Sequence, residues 1–238
     1  MSTSRRVSRR EFVQATGLTA GLAGVGVTAS SAHANQPERK RDPDSVLAKL
    51  LAGNERFMKG ELTQPRRKPE DFAAVAEGQT PLAVVVGCAD SRVSPELLFD
   101  VGIGDLFVVR VAGNVISGAG ATVKGSIEYA VAELGVQLIL VLGHSKCGAV
   151  KAAIKHIDDK DTLPGAIEDL VDTIRPACVA VQNNAGDKLE NVTKENVRRG
   201  VERLKGLKPI LAKAIEDKKL KVVGGIYDLK SGKVTMLE

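Results

Sequence analysis

The chain has 238 residues, enough for one domain with a sizeable core, and its packing must rest on aliphatic side chains because aromatics are few and tryptophan is absent. Its net charge of +5 is largely local: Arg5, Arg6, Arg9 and Arg10 fall in the first ten residues, and beyond residue 34 the balance is 30 Lys and Arg against 28 Asp and Glu. That near-neutral remainder gives no support to a nucleic-acid partner, and three cysteines, an odd number, argue against a disulfide framework.

The first element is an address. Ser8-Arg9-Arg10-Glu11-Phe12-Val13-Gln14 resembles a twin-arginine export signal. A weakly apolar stretch, Ala15 to Ala29, follows and ends at Ala32-His33-Ala34, the small-x-small shape of a signal-peptidase site. The stretch is too short and too rich in glycine to span a membrane stably. The expectation is cleavage after Ala34, a periplasmic or secreted product, and two regions: 1–34 as signal and 35–238 as one domain.

Residues 35–45 are polar and read as a linker. Ser45 to Lys59 has helical apolar spacing, with Ser45 as the expected cap. Phe72 to Glu77 reads as a short helix. Then strands and helices alternate. Leu82 to Gly87 is a continuous β-branched run between Pro81 and Gly87, the signature of a buried strand. Pro95 to Phe99 is a short helix, Leu106 to Val111 a second strand, Ala121 to Leu134 an amphipathic helix. Val136 to Leu142 is a third strand and Gly148 to Ile157 a helix. Two long helical patterns follow, Ile167 to Val181 and Val192 to Glu216. Lys221 to Asp228 and Lys233 to Leu237, joined by Leu229-Lys230-Ser231-Gly232, read as a hairpin. The fold class is therefore α/β: a parallel sheet flanked by helices, with a helical arm before it and a hairpin after it.

In such sheets, sites gather at the carboxyl ends of the strands. Cys88 follows the first strand and His144 the third, with Cys147 three residues on. Two thiols and an imidazole suit zinc, and three protein ligands leave one position open for chemistry. Asp90 and Arg92 flank the first thiol. A carboxylate there can block a metal or orient its nucleophile, and an arginine can hold it in the second role. Thiol redox chemistry is a weaker reading because no Cys-x-x-Cys is present, and Cys-His nucleophilic catalysis leaves the second thiol without a purpose. Cys178 reads as a small buried residue of a helix.

These residues are similar to those of the β-class carbonic anhydrases. The likeness runs through Leu50-Leu51-Ala52-Gly53-Asn54-Glu55-Arg56-Phe57, Cys88-Ala89-Asp90-Ser91-Arg92-Val93, Gly104 to Arg110, Ala112-Gly113-Asn114, Gly125 to Ala130, Leu142 to Gly148, and Gly225 to Leu229. The resemblance implies a β-carbonic anhydrase fold and one zinc ion per chain held by Cys88, His144 and Cys147. It also implies reversible CO2 hydration to bicarbonate, with Asp90 and Arg92 as the catalytic dyad. It gives Gln79 to substrate bound in a neighbouring subunit and Phe107 and Tyr129 to the pocket lining. It implies a homodimer or homotetramer. Arg110 matches the arginine of an inhibitory bicarbonate site found in one subgroup, but that site also uses a tryptophan, which this chain lacks. The alternatives left open are hydrolysis of CS2 or COS on the same scaffold, and a zinc protein without turnover. No proton shuttle is legible; His156 reads as an exposed helix histidine.

Overall fold

The computed structural model describes residues 42–238. The expected signal segment, its cleavage point after Ala34 and most of the expected linker lie outside the described residues.

Helix α1, Pro43–Lys59, opens at Asp42, whose carboxylate accepts the backbone N–H groups of Asp44 and Ser45 at 3.4 and 2.9 Å. The cap therefore stands three residues ahead of the expected Ser45. Pro43 occupies the first helical position, where its missing N–H costs nothing and its fixed φ suits the helix. Gly60 closes the helix at φ 74°, a left-handed conformation that glycine adopts freely.

Five strands form one sheet in the order β2-β1-β3-β4-β5. Strands β1 (Ala83–Cys88), β2 (Leu106–Val111), β3 (Leu138–His144) and β4 (Lys221–Tyr227) are parallel, and β5 (Val234–Met236) returns antiparallel to β4 as the hairpin. The helices between them are α2 (Ala73–Ala76), α3 (Pro95–Leu98), α4 (Gly120–Ala132), α5 (Gly148–Asp159), α6 (Ile167–Ala180), α7 (Lys188–Lys205) and α8 (Ile210–Glu216).

Two expectations are corrected. The pattern from Val192 to Glu216 is two helices: α7 begins at Lys188, capped by Asp187, and ends at Gly206, and α8 starts only after Pro209. Gly206 ends α7 and Pro209 caps the start of α8, so the apolar period runs on while the backbone breaks. Strand β3 runs two residues past Leu142, because β4 continues alongside it and pairs Gly143 with Ile226 and His144 with Tyr227. His144 is thus part of the sheet and shares its rigidity.

Side chains of β1 alternate between two cores. Val84 and Val86 join Ile139 and Val141 beneath α4, α7 and α8, which contribute Ile127, Val197, Val201, Leu204 and Leu211. Ala83 and Val85 join Leu138, Leu140 and Leu142 beneath α1 and α3, which contribute Val46, Leu50 and Leu98. The second layer is pinned by Asn54, whose side-chain N–H group donates to Leu98 O at 3.1 Å and to Gly232 O at 2.8 Å, while its Oδ1 accepts Val234 N–H at 2.8 Å. Its neighbour Gly53 lets α1 lie against the chain at Phe99: a Cβ at Gly53 would stand 1.8 Å from Phe99 O. Gly53→Ala is accordingly expected to lower stability by about 1–3 kcal/mol, the usual range for overpacking. An unchanged denaturant midpoint would contradict this packing.

Candidate metal centre

Strands β1 and β3 are direct neighbours, with Gly87 in register with Leu142. Their carboxyl ends therefore bring Cys88 and His144 side by side. Cys147, three residues on, precedes α5 as its N-cap. The ligating atoms of Cys88, His144 and Cys147 all lie within 4.8 Å of one another, and all three residues are buried. The two sulfurs stand 4.0 Å apart. Tetrahedral zinc with Zn–S bonds of about 2.3 Å wants its sulfurs a little under 4 Å apart, so the spacing fits.

The imidazole is prepared for the same role. His144 Nδ1 stands 3.0 Å from Ser145 O, so it carries the proton and donates it to that carbonyl. This leaves the lone pair on Nε2, a buried atom without a hydrogen-bond partner. A buried acceptor left empty is costly, unless a cation takes it. The donor set thus fits zinc: two thiols, one imidazole in the right tautomer, and an outer partner to orient it.

The contact between the two thiols pushes their acidities in opposite directions. Hydrogen bonding with Cys147 pulls Cys88 down, against the burial that pushes it up; His144 and the backbone N–H of Gly113 act in the same downward direction. Cys147 is pushed up by the same contact and by burial. The Gly113 N–H donates to Cys88 Sγ at 3.2 Å. Gly113 has φ 68°, and a Cβ there would crowd Ile174 and Ala149 at 3.1–3.2 Å. Asn196 on α7 holds the next peptide, donating to Gly113 O at 2.8 Å. Around this polar knot sits an apolar shell of Val115, Val150, Val171, Ile174 and Val192. Cys178 is buried in the same shell, and its thiol is pushed up by that burial.

Asp90 lies beside the cluster, its Oδ2 3.8 Å from His144 Nε2. Arg92 grips the carboxylate in a fork, Nε to Oδ1 at 2.9 Å and Nη2 to Oδ2 at 2.7 Å, and its own backbone N–H adds a third bond to Oδ1. The Arg92 side chain, against the opposing effect of burial, holds the carboxyl well below the usual carboxylate range. The carboxylate is thus ionised, oriented and outside the ligand cluster.

The aromatic residues stand elsewhere. Phe107 and Tyr129 pair with ring centroids 6.3 Å apart. Phe107 is in register with Val84, four residues before Cys88, which at the strand rise is about 13 Å along β1. Tyr129 is 48% exposed, and Gln79 is exposed in the segment before β1. None of the three lies with Cys88 of its own chain. His156 differs from expectation: it is half-buried, with Nδ1 2.7 Å from Asp161 Oδ1. The roles of Gly113, Asn196 and Ser145 were not legible in the sequence, because each acts on a backbone atom or through one. A glycine just past a strand, on a level with the first thiol, was the available signal.

A buried Cys-His-Cys set at the carboxyl edge of a mostly parallel sheet defines a metalloenzyme-type α/β centre. The carbonic anhydrase family model matches residues 83–234. "Carbonic anhydrase 2" of Mycobacterium tuberculosis is 40% identical over 196 residues, covering 82% of this chain and 93% of that protein. Among solved structures, the β-carbonic anhydrase CcaA superposes with TM-score 0.65 at 28% identity, over 81% of this chain and 95% of that one. A tetrameric β-carbonic anhydrase of Sordaria macrospora gives TM-score 0.65 at 26% identity, over 80% and 96%. The chain belongs to the β-class carbonic anhydrases.

Proposed function

We propose that the chain hydrates CO2 reversibly to bicarbonate and a proton, using one zinc ion held by Cys88, His144 and Cys147. The observation that carries this reading is the cluster itself: three ligating atoms within 4.8 Å, one of them a buried imidazole nitrogen with no other partner. Zinc bound there supplies Lewis acidity that brings water towards ionisation near neutral pH, a magnitude known from the three-histidine carbonic anhydrase and weakened here by two thiolates. Asp90 accepts a hydrogen bond from the oxygen that attacks CO2 and so aims its lone pair. Arg92 keeps Asp90 from turning onto the metal position. The apolar shell around the thiols keeps bulk water from the ligands.

Gln79, Phe107 and Tyr129 stand apart from the cluster of their own chain, so they serve the site of a second copy. The outer edge of β2 and the exposed Tyr129, Phe72 and Ile103 give that copy an apolar surface. The assembly is a homodimer or homotetramer. The amino-terminal segment directs export by the twin-arginine route, which carries folded proteins and so permits zinc to be taken up beforehand. No helix among the described residues is long and apolar enough to cross a membrane.

A stopped-flow assay with a pH indicator tests the reaction. Hydration rate should follow zinc content, vanish on chelation and return with zinc. Fully zinc-loaded protein with no rate above buffer would overturn the proposal. Replacing Arg9 and Arg10 together by lysine should leave the precursor in the cytoplasm; continued export would contradict the address.

A further inference from the structure

Arg110 sits on β2 beside Gly87, at the sheet edge one position before Cys88. Its Nε donates to Cys88 O at 3.0 Å and its Nη2 to Asp90 O at 2.6 Å. Those carbonyls flank Ala89, the single residue between a metal ligand and the dyad carboxylate. The strand ladder ends there: Ala89 N–H reaches Val111 O at 3.1 Å, and no further strand partner follows. Asp90 O also accepts Val93 N–H at 3.0 Å, so the turn is tied from inside and from β2. A planar fork meets two carbonyls with its donors already fixed in geometry, whereas an ammonium is a flexible point charge without that preset spacing. The Nε and Nη2 donors of Arg110, one side edge of its guanidinium, are therefore spent on the chain itself.

We propose that Arg110 is a positioning residue for CO2 hydration: its guanidinium fixes the Cys88–Asp90 backbone, and through it the place of the Asp90 carboxylate beside the metal site. This rests on the role given to Asp90 above. Arg92 sets the rotation of the carboxylate; Arg110 sets the backbone it hangs from. The two hydrogen bonds described for its side chain both go to main-chain oxygens.

A double-mutant cycle tests this. Arg110→Met is made in the parent and in Asp90→Asn, with kcat and KM for hydration, zinc per chain and thermal unfolding measured for each. In the parent background kcat should fall by about 10–100-fold, the usual cost of losing an outer partner in a metal site, with zinc content and unfolding near those of the parent. In Asp90→Asn the same change should cost less than about 3-fold, because a residue that acts through Asp90 has nothing left to position. Arg110→Lys should recover part of the rate, because an ammonium still donates to these carbonyls but without the fixed fork. If Arg110→Met does not fold, Arg110→Lys carries the same cycle. Equal losses in both backgrounds, loss of zinc, or a raised KM for bicarbonate with kcat kept would each overturn the proposal, the last by assigning Arg110 to anion binding. Asp90→Asn at parental rate would instead remove the dyad reading on which the proposal rests.

Discussion

Cys88→Ser is expected to lose zinc and CO2 hydration in one step. A hydroxyl is a far poorer zinc ligand than a thiolate, and it stays protonated where a thiol ionises. The site gives the serine no help: Cys88 is buried, and the Gly113 N–H that supports a negative sulfur would face a neutral oxygen. With one of three ligands gone, His144 Nε2 is again a buried acceptor without a partner. Metal analysis should find little zinc, activity should fall to background, and added zinc should no longer raise the unfolding temperature. Full zinc content in the variant would show that the ligand set is wrong. Cys178→Ser is the matched control. That thiol is buried in the same apolar shell but is not one of the clustered ligands, so zinc and rate should stay at parental levels.

Asp90→Asn should keep zinc and fold yet lose about 100-fold or more of its hydration rate, the scale on which a well-placed acid-base group acts. The amide has the same volume, so packing survives. Its hydrogen bonding does not. Arg92 presents two donors to the two carboxylate oxygens, and an amide can meet them with only one acceptor. The amide oxygen turns to Arg92, and its NH2 then points a donor where the attacking oxygen needs an acceptor. Arg92→Ala should do comparable harm by another route. It frees a carboxylate whose Oδ2 is 3.8 Å from His144 Nε2, near enough to rotate into the open metal position. Its zinc-bound crystal structure should then show four protein ligands. Parental rates in both variants, with zinc retained, would remove the dyad from the mechanism.

Much of this was legible before any coordinates. Strand β1 could be placed because Ala83 to Val86 is an unbroken run of core-forming residues behind Pro81, and β2 was placed at Leu106–Val111 with no error. The metal cluster was legible because both ligand groups sit where strands end, and a parallel sheet aligns such ends by construction. What stayed hidden had a common cause. The break between α7 and α8 does not disturb the spacing of apolar side chains, so periodicity could not reveal it. Asp42 caps a helix that begins before its apolar stripe, so the stripe pointed to Ser45. The targets of Arg110, Gly113 and Asn196 are main-chain atoms, which every residue carries, and sequence says nothing of which carbonyl a donor will meet. Phe107 was readable as a strand residue, and the resemblance gave it to the pocket lining, but only the register with Val84 shows how far it stands from Cys88.

Asn54 ties the order of synthesis to the order of folding. Two of its three hydrogen bonds go to residues 178 and 180 positions later, Gly232 and Val234, in the β4–β5 hairpin. While the polypeptide is still emerging from the ribosome, β1 to β3 can collapse, but α1 has no complete seat and would bury an amide with its partners missing. Such distant pairings are slow to find and unrewarded until late. Helix α1 is therefore among the last elements to dock, and its closure waits for the β4–β5 hairpin. A premature stop within the final hairpin would leave every ligand present and the first helix loose, a form that cellular proteases recognise readily.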